Sequence, residues 1–170
     1  MKRLGLLRHA KSSWDDPALG DFDRPLNARG RAAAKRMGEE FGKLGLAYDL
    51  VLVSPARRAA ETLAGIREGW GVDFDSQPEP KLYAASSKDL LDIIAAIPVQ
   101  VERLLLVGHN PGLHELAMQL TKGSGSVFRE ALAPNLPTGS LVEIGLHTST
   151  WPQAAVGGDL LRFLRPRELD

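Results

Sequence analysis

Three short apolar runs in this chain each end in residues suited to holding an anion. Leu4-Gly5-Leu6-Leu7 runs into Arg8-His9 and then Ala10-Lys11-Ser12-Ser13. Leu50-Val51-Leu52-Val53 runs into Ser54-Pro55-Ala56-Arg57-Arg58, and Leu104-Leu105-Leu106-Val107 into Gly108-His109-Asn110-Pro111-Gly112. A permanent cation and an imidazole at the mouth of a buried strand are costly unless an anion or a hydrogen-bond partner meets them. Arginine forks match phosphate oxygens, and imidazole is a phosphoryl nucleophile or acid–base group at neutral pH. Each fragment alone has an ordinary reading: an arginine as a surface ion-pair partner, a histidine as a packing residue, Gly-His-Asn-Pro-Gly as a turn. Their agreement on one ligand chemistry at three strand ends points to a phosphate pocket containing Arg8, His9, His109 and one arginine of the pair Arg57 and Arg58. Arg57 and Arg58 are adjacent on a predicted helix and point different ways, so one of them is solvated.

The elements that must position these residues alternate. Strands are predicted over residues 3–8, 50–53 and 103–107, and helices over residues 28–44, 55–68, 87–97 and 111–121. A short strand is expected over 72–75. Loops are expected over 123–126 and 134–139, and two further strands, the first half-exposed, over 140–146 and 160–164. Ser54-Pro55 and Asn110-Pro111 have the form of an N-cap followed by a first-turn proline. The pattern predicts a three-layer α/β/α fold, with a mostly parallel central sheet and added edge strands in the C-terminal third, in one domain spanning 1–170. In such sheets ligands bind beyond the carboxyl ends of the strands, where all three signals fall.

Composition narrows the function classes. The 170 residues carry 21 basic and 21 acidic side chains, with 44% hydrophobic and 25% charged residues. A balanced charge argues against a nucleic-acid partner. No apolar run approaches a membrane span, and Arg8 interrupts the first one too early for a signal peptide, so the expected location is cytoplasmic. The absence of cysteine excludes a cysteine nucleophile and thiolate metal sites.

These motifs resemble those of the histidine phosphatase (phosphoglycerate-mutase-like) superfamily. Arg8-His9-Ala10 is similar to its Arg-His-Gly signature, with Ala10 in place of the usual glycine. Ser54-Pro55-Ala56-Arg57-Arg58-Ala59-Ala60-Glu61-Thr62 is similar to its Ser-Pro-x-x-Arg-Ala-x-x-Thr element, and His109 to its second histidine. Arg24-Pro25-Leu26-Asn27-Ala28-Arg29-Gly30 resembles the stretch after the first motif. Arg-His-Ala-Lys-Ser and Leu82-Tyr83-Ala84 resemble the SixA-like branch, whose named activity is phosphohistidine phosphatase. The ordered motifs cover residues 3–120, and the tail is less similar.

The resemblance implies His9 as a nucleophile that forms phosphohistidine, with Arg8, Arg58 and His109 holding the phosphoryl oxygens. Arg24 is a further phosphate or substrate contact, and Ser12 and Asn110 are possible hydrogen-bond donors. No metal and no cofactor is called for. The larger relatives carry a glutamate acid after the second helix; Glu79 lies in that region, and Asp15 and Asp16 are alternatives. A site without a placed acid suits a phosphoramidate, whose leaving nitrogen can already carry a proton, better than an alkyl phosphate. The expected partner is therefore a phosphorylated substrate, most simply a phosphohistidine-bearing protein. The alternatives are a small phosphorylated metabolite and a non-catalytic phosphate-recognition module. His114, His147, Trp14, Trp70 and Trp151 are read as structural, and oligomeric state is not set.

Overall fold

A computed structural model describes residues 1–169. One six-stranded sheet runs through it: β1 (Lys2–Arg8), β2 (Leu50–Val53), β3 (Ser76–Pro78), β4 (Arg103–Gly108), β5 (Leu141–Leu146) and β6 (Gly158–Leu164), in the order β3-β2-β4-β1-β5-β6. The first four strands are parallel; β5 is antiparallel to β1, and β6 to β5. Helices α1 (Ala28–Lys43) and α2 (Arg57–Trp70) cover one face. Helices α3 (Ser87–Ala95), α4 (Gly112–Leu120) and α5 (Val127–Leu132) cover the other. The result is a three-layer α/β/α fold.

Period-two alternation sorts the two cores. Leu4, Leu6, Leu104 and Leu106 face α3 and α4, whereas Leu7, Leu105 and Val107 face α1 and α2. All seven are fully buried, which is why β1 and β4 read as continuous apolar runs. Their parallel register pairs Arg8 with Gly108, so the residues that follow, His9 and His109, emerge side by side.

Several predicted elements differ from the structure. The short strand lies at Ser76–Pro78, beyond the expected 72–75, because pairing with β2 rather than local alternation selects it. β5 is buried along its whole length, since β1 and β6 flank it and both faces are covered. Its Glu143 is tolerated inside because Tyr48 Oη donates to it at 2.7 Å and Arg162 at 3.2 Å. Neither predicted cap forms. α2 begins at Arg57 after Ala56, and α4 begins at Gly112 after a cis Asn110-Pro111 bond; the Ser54 hydroxyl accepts the Ala56 N–H at 3.3 Å just ahead of α2, and the Asn110 side chain reaches Leu136 O. α5, six residues long, was not marked by any apolar period.

Asn27 caps α1 by accepting the Gly30 backbone N–H at 2.8 Å. Gly30 itself is dictated by space: a Cβ there would lie 2.0 Å from the Lys11 carbonyl oxygen. The start of α1 therefore rests directly on the segment that follows His9. Among the described residues no helix is long and apolar enough to cross a membrane.

Candidate active site

The carboxyl ends of β2, β4 and β1 meet as adjacent strands, bringing Ser54, His109 and His9 together. The two imidazole rings lie 5.3 Å apart, tilted by 51°. His9 is 7% and His109 8% exposed. His9 Nδ1 lies 2.7 Å from the Ala10 carbonyl oxygen. A carbonyl can only accept, so Nδ1 carries the proton and Nε2 keeps its lone pair. Burial lowers the His9 pKa to about 3, with His109, Arg58 and Arg8 pushing the same way against that hydrogen bond. The ring is thus neutral and singly tautomeric, as a nitrogen nucleophile requires.

The backbone that carries His9 is anchored on three sides. His9 N–H donates to Gly108 O at 3.0 Å, and Gly139 N–H reaches Arg8 O and His9 O at 3.1 and 2.9 Å. Ala10 N–H donates to Thr62 Oγ1 at 2.9 Å, while that hydroxyl donates back to Arg58 O at 2.7 Å. Thr62 therefore joins the His9 segment to the first turn of α2, from which Arg58 projects.

His109 Nε2 lies 2.7 Å from the buried Ser54 hydroxyl. Its pKa is lowered to about 4, chiefly by burial and then by Arg58, with Asp21 opposing and Arg8 adding. His109 Nδ1 has no hydrogen-bond partner within the protein. The Nε atoms of Arg8, Arg24 and Arg58 and Asn110 Oδ1 are buried and unpartnered as well. These unpartnered donors and acceptors leave hydrogen-bonding capacity around the two imidazoles for an external ligand.

The arginines are held in place by backbone carbonyls and by side chains, Asp21 chief among them. Arg8 Nη1 donates to Leu136 O at 3.0 Å, and Asn110 Nδ2 reaches the same oxygen at 2.9 Å. Burial, then Arg58, lowers the Arg8 pKa. Arg58 Nη1 donates to Asp21 O at 2.6 Å and Nη2 to Asp21 Oδ2 at 3.1 Å. Arg57 is exposed and pairs with Glu61 at 2.8 Å. Arg24 bonds Ser12 Oγ at 2.6 Å and Asp21 Oδ1 at 3.0 Å, and its guanidinium stacks 3.5 Å from the Trp14 ring centroid. Trp14 is 75% exposed, so it is a platform for Arg24 and not a core residue. The Ser12 hydroxyl accepts from Arg24 and serves to position it.

Asp21 is not marked by the sequence at all, and Tyr83 enters there only through Leu82-Tyr83-Ala84, with no role in the site. Asp21 sits on a short 3-10 turn, Asp21–Asp23, and its carboxylate accepts from Tyr83 Oη at 2.6 Å besides Arg24 and Arg58. Those bonds, the tyrosine's first, hold it well below the usual carboxylate range; the tyrosine pKa is raised in return. Tyr83 also meets His109 edge to face at 5.5 Å. Asp21, Arg58, Tyr83, His109, Asn110 and Glu115 help line a cleft of about 490 Å³. No local pattern distinguishes Asp21 from its neighbours Asp15, Asp16 and Asp23, and only the folded loop selects it. Glu79 lies apart: it caps the Pro80–Leu82 turn through Lys81 N–H at 3.3 Å and lines a separate groove with Leu50, Leu52 and Ile93. His114 bonds Leu132 O at 2.8 Å, and His147 meets Asp159 at the surface at 3.0 Å. Among the described residues no cluster of histidine and carboxylate side chains has the form of a metal site.

The sequence profile of the histidine phosphatase superfamily (branch 1) matches residues 4–82, the span holding Arg8, His9, Arg24 and Arg58. The structure superposes on the Agrobacterium tumefaciens protein assigned as the phosphohistidine phosphatase SixA, with a TM-score of 0.81, 30% identity, and coverage of 97% of this chain and 98% of that one. The chain belongs to the histidine phosphatase superfamily. Within it the chain falls in the SixA-like branch, and by that kinship it is a histidine-nucleophile phosphatase. An uncharacterised chloroplastic protein of Arabidopsis thaliana is 35% identical over 72% of the chain, which spans 61% of that protein's length. An uncharacterised Mycobacterium tuberculosis protein is 34% identical over 79% of the chain and 84% of its own length.

Proposed function

We propose that this superfamily member hydrolyses phosphohistidine in a protein, with His9 as the nucleophile. The observation that carries the reading is the His9 ring itself: buried, held neutral, and fixed by Ala10 O so that Nε2 is the free nitrogen. In the first step the Nε2 lone pair attacks phosphorus, and the P–N bond to the substrate imidazole breaks. The leaving ring nitrogen keeps the electron pair of the broken bond, and the substrate imidazole departs neutral because its other ring nitrogen already carries a proton. In the second step water attacks the His9 phosphoryl group, the Nε2–P bond breaks, and inorganic phosphate leaves. Arg8, Arg58 and His109 hold the equatorial oxygens, and buried Arg24 shares the Asp21 carboxylate with Arg58 as a further cation of the pocket. Asn110 belongs to the wall through its bond to Leu136 O.

Asp21 supports a P–N substrate over an alkyl phosphate. It is the carboxylate paired with Arg58, and its bonds from Tyr83 first, then Arg24 and Arg58, keep it ionised, so in the resting site it carries no proton to give an alkoxide. Glu79, in its separate groove, is not proposed as the acid. Rapid acid- and base-quench of the protein with a 32P-labelled phosphohistidine peptide tests the reading. An acid-labile, base-stable phosphoenzyme is expected, lost in His9→Ala. Turnover of phosphoserine peptides equal to that of phosphohistidine peptides would refute the substrate class, and unchanged turnover in His9→Ala would refute the nucleophile.

A further inference from the structure

A second concave site lies on the other side of the His9 segment. It is a cavity of about 410 Å³ whose lining carries five cations, Lys11, Arg29, Arg36, Arg165 and Arg167, and, among the described residues, no carboxylate. The whole chain has 21 basic and 21 acidic residues, so this concentration is local and not compositional. Arg165 is paired with Glu168 and stacks 4.8 Å from the Phe163 centroid, which fixes its position. Among the described residues Arg36 makes only long bonds, 3.4 Å each, to Pro166 O and Leu169 O. Lys11, Arg29 and Arg167 have no side-chain hydrogen bond or ion pair among the described residues. Like charges gathered in a concave wall raise the local potential and favour an anion there.

The cavity shares no lining residue with the catalytic cleft, but two of its wall segments adjoin catalytic residues in the chain. Lys11 stands two residues after His9, which limits the separation of their Cα atoms to about 7 Å. The opposite wall holds Pro137 and Thr138, which follow directly on Leu136, whose carbonyl anchors both Arg8 and Asn110. The next residue, Gly139, donates its N–H to Arg8 O and His9 O. The cavity thus lies within a few residues of His9 along two separate segments, close enough for one substrate molecule to be tested at both places.

We infer that the cavity lined by Lys11, Arg29, Arg36 and Arg167 is a second oxyanion subsite, taking a phosphate or carboxylate group on the molecule whose phosphoryl group His9 receives. The inference rests on His9 as the phosphoryl acceptor. It narrows the substrates to those carrying a second anion outside the reacting phosphate.

The test uses the double charge reversal Arg36→Glu/Arg167→Glu, at two exposed positions outside the catalytic machinery. Turnover is compared on p-nitrophenyl phosphate, on phosphohistidine peptides flanked by glutamates or by alanines, and on fructose 1,6-bisphosphate against fructose 6-phosphate. The wild-type chain is expected to prefer the second-anion member of at least one pair. The reversal should cut kcat/KM on that member by about tenfold or more at low salt, through KM, leaving p-nitrophenyl phosphate unchanged. Loss in the peptide pair identifies a carboxylate source, and loss in the sugar pair a phosphate source. No preference in either pair, or an equal effect on all substrates, overturns the subsite. Calorimetric titration with tripolyphosphate reads the cavity without turnover, and so separates this inference from the assignment of His9. Binding should weaken about tenfold in the double reversal and persist in His9→Ala. Binding that depends on Arg58 and ignores the reversal would overturn it.

Discussion

Acid destabilisation should come in large part from the two site histidines, and His9→Asn isolates one of them. An unfolded histidine titrates near 6.5, whereas His9 in the folded chain titrates near 3 and His109 near 4. Between these limits the unfolded chain holds a proton that the native chain does not. The sign follows directly: the contribution is fully present above pH 6.5 and is lost as pH falls through the folded values. Each such histidine gives a slope of about 1.4 kcal/mol per pH unit. From pH 6.5 to pH 4 His9 alone removes about 3 kcal/mol, a sizeable share of the stability of an ordinary domain. The slope depends on the proton count and not on the last decimal of either pKa. Urea unfolding followed by circular dichroism at half-unit steps across this window measures it. His9→Asn should flatten the curve by one proton while His109 and the carboxylates continue to titrate in both proteins. Parallel curves for the two proteins would mean that native His9 takes up its proton at an ordinary pH. That result would remove the argument for a neutral, single-tautomer nucleophile.

Three further outcomes are expected. Ser54→Ala leaves His109 Nε2 buried without its 2.7 Å partner, which should cost about 1–3 kcal/mol in urea unfolding and about tenfold in turnover; full turnover would show that the serine does not orient the ring. Asp21→Asn removes the anion that competes for the Arg58 fork, so the inhibition constant for inorganic phosphate should fall by about threefold or more; weaker phosphate binding would show instead that Asp21 holds Arg58 in place. Gly30→Ala pushes a methyl group to 2.0 Å from Lys11 O, forcing α1 off the His9 segment, and should lose about 1–3 kcal/mol of stability together with most turnover of any phosphorylated substrate; a stable, fully active Gly30→Ala protein would refute that contact.

The chemistry of the pocket was legible in the chain because strand ends concentrate it. Apolar runs that are buried on both faces stand out without any knowledge of their partners, and so do the Arg8-His9, Arg58 and His109 groups that end them. Register then needs no long-range information beyond parallel pairing to set His9 beside His109. Roles that depend on contacts between distant segments were not legible. Ser54 reads as a cap, yet its hydroxyl meets an imidazole 55 residues away. Asp21 is one of several acidic residues in a loop, and only the loop's return past α2 places it on Arg58, 37 residues on. Trp14 reads as core, but it lies open beneath Arg24.

What the sequence by itself determined was the layered α/β plan and the phosphate-seeking residues, because periodicity and strand ends are local properties of the chain. The tertiary structure decided which nitrogen of His9 is free, which arginine of the 57–58 pair enters the site, and which carboxylate meets it. It also gathered Lys11, Arg29, Arg36 and Arg167 from three separate segments around one cavity. Hydrogen bonds and electrostatic fields act through space, and residues far apart in the chain acquire them only when the sheet and its loops close.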